Sequence, residues 1–433
     1  MRRQQALRLV VPILVVAVLL AACGAPKPAQ PTAQRAATAA PSTPVELTLW
    51  CVTYQPYVDG FNAMIEEFRK THPNVTFKIE TYAWAQFWTK ITAAVAAGTG
   101  PDIAHLYSGD MFRLVAEGVL LPLEPGDFPL DKMSPMVKQS VVKGKLWAVP
   151  MAVRTFGYFY NPDLYAKAGV ANPPARWDEE IPIAEKLTQF DKDGKFAVIG
   201  EGLWPKAEGW TIWQLRCVQF GGSYISQDLR KMTWDDPAAV AAFEFMTSKM
   251  TKHKIFTDGF HDSWITAFAD GVEAGFIGNV GMIGALRGQK QPWKAAPMPA
   301  GPKSDVTLGN FWPLGITQQV KGAKLAAAIE FLKFAASPEG NRAWCRKTGD
   351  IPSLLEVAAE KEFAESEIAP FVKGAANSVF VFDPSSVATR AGWEAAWDKV
   401  VLKGADPKTA LLEGMPQAQE VLDDFWRKMD AMK

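Results

Sequence analysis

Between residues 143 and 179 the chain reads KGKLWAVPMAVRTFGYFYNPDLYAKAGVANPPARWDE, and this stretch limits the architecture more than any other. Residues 146–150 form an apolar run closed by Pro150, and residues 155–160 a second run rich in aromatics; both read as short strands. Only residues 151–154 lie between them, too few for an ordinary loop excursion. Asn161-Pro162-Asp163 then starts a helix, with a side-chain cap followed by proline at the first helical position, and Gly169 stops it. A strand that ends, crosses and resumes is what two lobes sharing a hinge require.

The chain is long enough for two lobes. Its 433 residues supply core for two to three domains at ~150 residues each, and 48% hydrophobic with 21% charged residues is a soluble globular composition. Arg2, Arg3 and Arg8 precede the apolar run 9–20, which falls short of the ~20 residues needed to span a bilayer. Residues 1–22 therefore read as a signal peptide, and Leu20-Ala21-Ala22-Cys23 looks like a bacterial lipobox in which Cys23 takes the lipid. Ordinary signal cleavage beside an incidental cysteine is the alternative. Residues 23–44 are Ala, Pro, Thr and Gln with only Lys27 and Arg35 charged, a tether too poor in large apolar groups to pack.

Loss of Arg2, Arg3 and Arg8 takes the 46 basic side chains to 43, against 46 acidic ones. A near-neutral mature chain argues against an electrostatic nucleic-acid binder and leaves neutral small molecules as natural partners. Beyond Cys23, the cysteines Cys51, Cys217 and Cys345 allow at most one disulfide, with buried free thiols the alternative.

Residues 45–50 alternate apolar and polar, as a half-buried strand does. Phe61, Met64, Ile65 and Phe68 follow at helical spacing, then Val75, Phe77 and Ile79 alternate again. Trp88, Ile91 and Val95 line the next helix, and residues 102–107 form a third strand. Connections this short demand parallel, right-handed crossovers, and ligands in such sheets settle beyond the carboxyl ends of the strands. Those ends are residues 50–57, 82–87 and 108–110.

Further on, Ile181-Pro182 delays a helix to residues 183–190. Asp191-Lys192-Asp193-Gly194 fits a hairpin turn and fails as a calcium loop, because the first and twelfth positions would be Gln189 and Gly200. The glycines at 275, 278, 281 and 284 lack both a G-x-G-x-x-G and a following Gly-Lys-Ser/Thr, so no nucleotide site is read there. His72, His105, His253 and His261 belong to no metal-binding spacing, and no nucleophile elbow appears. Neither a metal nor any other cofactor is expected.

Tryptophan is the unusual residue, 16 in the chain, several beside predicted loops. Trp84, Trp204, Trp210, Trp264, Trp293 and Trp312 follow no core periodicity, whereas Trp88, Trp147, Trp344 and Trp426 read as core. A flat aromatic matches the C–H face of a pyranose at little entropic cost, while Asn, Asp and Arg satisfy its hydroxyl rim.

The segment Gly144 to Pro150, Tyr158 to Leu164, Ala168-Gly169, Pro173-Pro174 and Trp177-Asp178-Glu179 resembles the family-one extracellular solute-binding proteins, the capture subunits of ABC importers. Leu49-Trp50, residues 96–103 (AAGTGPDI), 118–123 (GVLLPL), 235–237 (DDP), 268–276 (FADGVEAGF), 337–340 (SPEG) and 349–352 (GDIP) extend the likeness over about residues 45–425. The resemblance implies an α/β, two-lobed periplasmic-binding fold of type II, each lobe a mixed, largely parallel sheet flanked by helices. Lobe 1 would be 45–150 plus 301–336, and lobe 2 would be 155–296 plus 345–433, with a multi-strand hinge near 150–155, 297–302 and 336–344.

It also implies a monomeric, extracytoplasmic lipoprotein at the bacterial cell surface or periplasm, with a sugar ligand, an ABC permease partner and no enzymatic activity. Carried over position by position, ligand contacts are expected from Tyr54, Gln55, Trp84, Ser108, Asp110, Thr155, Trp210, Trp264, Asn279, Gly309, Asn310, Trp312 and Arg390. Gly281 stands near where maltodextrin binders stack a tryptophan, and Arg390 near another such position, which opens the way to an anionic sugar-related solute such as a glycerol phosphodiester. A secreted glycoside hydrolase and a polysaccharide adhesin are the remaining alternatives.

Overall fold

The computed structural model describes residues 43–203, 207–261 and 263–431, with the side chains of 207, 208, 264 and 386 left out. The signal peptide, Cys23 and Trp204 thus lie outside the described residues, as does the tether up to residue 42. Strands β1 (Val45–Val52), β2 (Val75–Tyr82) and β3 (Ile103–His105) pair in parallel, with β1 in the middle. Helices α1 (Gln55–Arg69), α2 (Trp84–Ala96) and α3 (Ser108–Ala116) follow them in turn, and α1 buries Phe61, Met64 and Phe68 along the expected stripe. Alternating strands and amphipathic helices give the parallel βαβ order because each helix can bury its stripe only by returning across the sheet.

Strand β4 (Val149–Tyr160) is continuous over 12 residues, so the expected interruption at 151–154 is absent. The partners change along the strand instead. Helices α4 (Trp177–Leu187), α5 (Ala207–Gln219) and α6 (Pro237–Thr251) come next, then strands β5 (Gly275–Asn279), β6 (Lys294–Pro297) and β7 (Thr307–Ile316). Residues 149–155 of β4 pair antiparallel with β7, while 156–160 pair with β5 and 157–160 with β6. Met151, Ala152 and Val153 have no exposed surface, and pairing to Trp312, Phe311 and the later strand β8 keeps their backbone groups satisfied without a loop.

Helices α7 (Gly322–Ala335) and α8 (Pro338–Thr348) precede β8 (Ile351–Pro352), and α9 (Ala369–Ala375), β9 (Ser378–Phe380), α10 (Ser386–Lys403) and α11 (Pro407–Ala431) complete the chain. Among the described residues nine strands join in one mixed sheet, running β6-β4-β7-β3-β1-β2, with β5 and β8 also on β4 and β9 on β7. Residues 338–344 form the first part of α8, whose Trp344 packs on Phe61 and Tyr57 of α1 with ring centroids 4.7 and 5.5 Å away. Gly60 permits this approach, since a Cβ there would lie 2.7 Å from the Trp344 ring.

Helix α4 begins at Trp177, six residues before the expected start at 183, and carries Pro182 inside it. Tertiary anchoring overrides the proline: Glu179 accepts from Ala175 N at 2.8 Å, and fully buried Glu180 pairs with Arg216 of α5 and Lys249 of α6. Lys249 also holds Glu201, making two cations and two carboxylates no more than 2% exposed. The 191–194 turn closes a small hairpin as expected, with Asp191 Oδ1 accepting from Asp193 N and Lys195 N. Cys51, Cys217 and Cys345 are buried free thiols, so these three form no disulfide.

The Glu180–Arg216–Lys249–Glu201 cluster fixes α5, the helix that carries Trp210 and Gln214 to the cleft. Removing one member of a balanced buried set strands a charge, which costs about 3–5 kcal/mol. Lys249→Met is expected to lower the denaturation midpoint accordingly, and Lys249→Met/Glu201→Gln to recover much of the loss. An unchanged midpoint for the single variant would show that the cluster is not what holds α5.

Candidate functional site

The carboxyl ends of β2 and β3, the start of β7 and the start of α5 converge on a cavity of about 320 Å³. One wall is aromatic. Trp84, first residue of α2, is 47% exposed, and its ring centroid lies 5.8 Å from Tyr107 and 6.2 Å from Trp312. Opposite stand Trp210, Thr211 and Gln214 of α5 and the segment Phe380 to Arg390. Trp210 Nε1 donates to Asp383 Oδ2 at 2.9 Å, and the Trp210 ring stacks on Trp213 at 5.3 Å. Arg390 Nε lies 3.0 Å from Glu394 Oε1.

A second compartment of about 150 Å³ adjoins the first, sharing Tyr107, Thr211 and Asn310, and adds Arg154, Phe156, Asn279 and Trp312. Arg154 pairs with fully buried Asp350, and its guanidinium lies 4.8 Å from the Trp312 ring centroid. Asp350 also accepts from Trp344 Nε1 at 3.0 Å, which ties this cation to α8. Gly281 leaves the space that Arg154 fills, because a Cβ there would sit 2.8 Å from Nη1. Beneath Trp312, His105 is enclosed by Tyr57, Phe61 and Trp344, with neither ring nitrogen hydrogen-bonded. Burial, aided by the Arg154 charge, holds its pKa well below the usual histidine value, so it is neutral.

Of the residues expected at the site, Trp84, Trp210, Gly309, Asn310 and Arg390 line the larger cavity, and Asn279, Asn310 and Trp312 the smaller one. Ser108 and Thr155 do not reach either. Each has no exposed surface and is engaged by backbone: Ser108 Oγ accepts from Phe311 N at 3.2 Å, and Thr155 Oγ1 donates to Phe371 O at 2.6 Å. Tyr54 and Gln55 stand exposed at the start of α1, outside both linings, where Gln55 Nε2 donates to Asp59 Oδ1 at 2.8 Å. Asp110 is buried in α3 beside the cavity rather than on its wall. The side chain of Trp264 lies outside the described residues.

Tyr107, Arg154, Thr211, Gln214 and Asp383 were not anticipated. Arg154 carried a signal, as the one charge in the largely apolar and aromatic run 149–160. Gln214 carried another, one helical turn beyond Trp210. Asp383 lies 173 residues from the Trp210 it binds, and no local pattern joins them.

The fold and cleft are those of a two-lobed solute-binding protein. Residues 63–370 match the family model described as bacterial extracellular solute-binding protein, and the chain belongs to that family, which places it outside the cytoplasm. A binding protein of Brucella abortus is 30% identical over 130 residues, 29% of this chain and 32% of that one, so the match spans about a third of that relative's length. The sn-glycerol-3-phosphate-binding periplasmic protein of Pectobacterium atrosepticum is 23% identical over 326 residues, 70% of this chain and 73% of its own. In the crystal structure of the cyclic alpha-maltosyl-1,6-maltose binding protein from Arthrobacter globiformis, 88% of this chain superposes on 99% of that one, with TM-score 0.76 and 22% identity. Among the described residues no helix is long and apolar enough to cross a membrane.

Burial pushes the Asp110 carboxyl up from the ordinary 3.8 to about 6, with Arg113 opposing and Asp383 adding to the shift. A raised carboxyl pKa means that the folded state keeps a proton the unfolded chain has lost. Its stabilising contribution is complete below about pH 4 and is lost as pH rises to about 6. Asp110→Asn removes that dependence. The stability of the variant relative to the parent is therefore expected to rise between about pH 4 and 6, by on the order of 2 kcal/mol, and to level off above. Denaturation at a series of pH values checks this, and a flat difference would contradict it.

Proposed function

We propose that the chain captures a neutral carbohydrate, a mono- or oligosaccharide, between its lobes and presents the closed form to an ABC permease. Charge pairing at the cleft carries the reading. Each lining arginine has its own carboxylate, Arg390 with Glu394 and Arg154 with Asp350, and Asp383 adds a further acid. Such a wall offers aromatic faces and hydrogen bonds without an excess positive charge, which suits hydroxyls better than phosphate. The Arthrobacter globiformis protein is named for a neutral saccharide, an ABC substrate-binding protein of Listeria monocytogenes was solved in complex with cycloalternan, and both share this fold. The anionic alternative rests on Arg154 and Arg390 and on the glycerol-phosphate name of the Pectobacterium protein.

In this reading lobe 1 comprises 45–150 with 301–352, and lobe 2 comprises 155–296 with the remainder, hinged near 150–155 and 297–302. A third crossing near residue 352 is proposed with it, supported by the packing of α8 on α1. Ligand stabilises the closed state because contacts from both lobes are made together only there. The protein works as a monomer by binding alone, with no covalent step, and is held to the membrane through lipid on Cys23. A cell-envelope preparation in which the protein partitions into the aqueous phase of a detergent extraction, with a free Cys23 thiol, would refute the anchor.

A thermal-shift screen of neutral oligosaccharides against sn-glycerol-3-phosphate separates the ligand classes. Ligand at 100 times its Kd adds about 2.7 kcal/mol to stability. Trp84→Ala is expected to weaken a neutral ligand about tenfold while leaving the unliganded melting temperature nearly unchanged, since its ring is half exposed. Arg390→Ala is expected to affect an anion far more than a sugar. A parent stabilised only by the phosphate would overturn the neutral reading.

A further inference from the structure

Gln214 occupies α5 one turn beyond Trp210, is only 2% exposed and lines the larger cavity. Its neighbours on the helix have their polar atoms engaged. Trp210 Nε1 is bonded to Asp383, Trp213 Nε1 donates to Ala239 O at 2.9 Å, and Arg216 is held by Glu180 and Gln219. Gln214 Nε2 is buried with no hydrogen-bond partner. Across the cavity, on β7, Asn310 Oδ1 is in the same condition, and Asn310 belongs to both compartments. Buried amide atoms without a partner weaken the fold, and although Asn74 and Gln319 keep others elsewhere, two that face one cavity point to a function that retains them.

We propose that Gln214 and Asn310 are the specificity-determining pair of this site, two carboxamides that read the hydroxyls of the bound ligand from opposite walls. A carboxamide presents an N–H donor at one end and a carbonyl acceptor at the other. Whichever way each is turned, a hydroxyl can answer it, because a hydroxyl both donates and accepts. A carboxylate or phosphate oxygen only accepts and leaves an amide carbonyl unanswered. The ligand class is therefore a neutral polyol with hydroxyls on two edges, one facing α5 and one facing β7, and an analogue lacking the hydroxyl that meets Gln214 is discriminated against. This deepens the carbohydrate reading above and rests on it.

The test compares the full chain with Gln214→Met, which keeps the length of the side chain and removes its polar end. Melting temperatures are measured alone and with maltose, mannobiose, mannotriose or sn-glycerol-3-phosphate at millimolar concentration. Free of ligand, the variant is expected to melt about 1–3 °C higher than the parent, because an unanswered buried amide is gone. Its affinity for any neutral probe that stabilises the parent is expected to fall about tenfold. A free variant that melts at or below the parent temperature overturns the proposal, since the amide would then be structural. So does an undiminished response to the neutral probe. A parent stabilised by sn-glycerol-3-phosphate and by none of the sugars overturns the carbohydrate reading itself, which is a different outcome. Should no probe move the parent, the comparison of the free proteins decides.

Discussion

The hydrogen-bonded ladder along β4 serves two groups of strands in series, β7 and β8 on its first part and β5 and β6 on its last. A strand has two edges, so it can hold more partners than two only by changing them along its length, and twelve residues are enough for that change. Ten of the twelve residues are buried, which locks the register because a slip by one residue would exchange its two faces. Backbone continuity thus lets strands from distant parts of the chain share one ladder.

Arg154 is the charge that this arrangement must accommodate. It sits on β4 with its side chain 12% exposed, and desolvation would make it costly without Asp350. Asp350 is fixed by Trp344 and by the end of α8, where Gly349 adopts a left-handed φ of 75° that stops the helix. The cation then covers Trp312, and its field helps to keep His105 uncharged within its aromatic enclosure. One buried ion pair therefore lies against a cleft tryptophan and reinforces the neutral state that burial imposes on the histidine beneath it.

Much of this was legible in the sequence wherever the cause was local. The first three strands and two of their helices follow from period-two and period-3.6 patterns, and Asn161 caps its helix as its position suggests, accepting from Asp163 N at 2.9 Å. Trp84, Trp210, Asn310 and Arg390 meet at one cavity although they are far apart in the chain. What was misread depended on distant partners. The strand break at 151–154 vanishes because β7 and β8 arrive from 150 or more residues away, and the late start of α4 is overridden by Arg216 and Lys249. Ser108 and Thr155 stand at strand and hinge positions that suit a ligand contact, yet bind backbone of β7 and α9 instead. A hydroxyl's partner is not readable from its spacing.

Many buried polar groups of the scaffold find their partners at long range, although Trp234, Gln319 and Trp393 keep an unpartnered atom away from the cavities. Buried Ser134, Thr317 and Asn341 are satisfied by carbonyls more than five residues away, which is how a polar group is retained in a core without weakening it. Gln214 and Trp312 are buried and Asn310 is half-buried; each keeps a buried atom without a partner, and all three line the paired cavities. A fold selected for stability alone would replace such groups with apolar ones of similar shape. Their retention is explained if a second molecule supplies the missing partners, so that stability absent from the free protein appears as affinity and as the closed arrangement of the lobes.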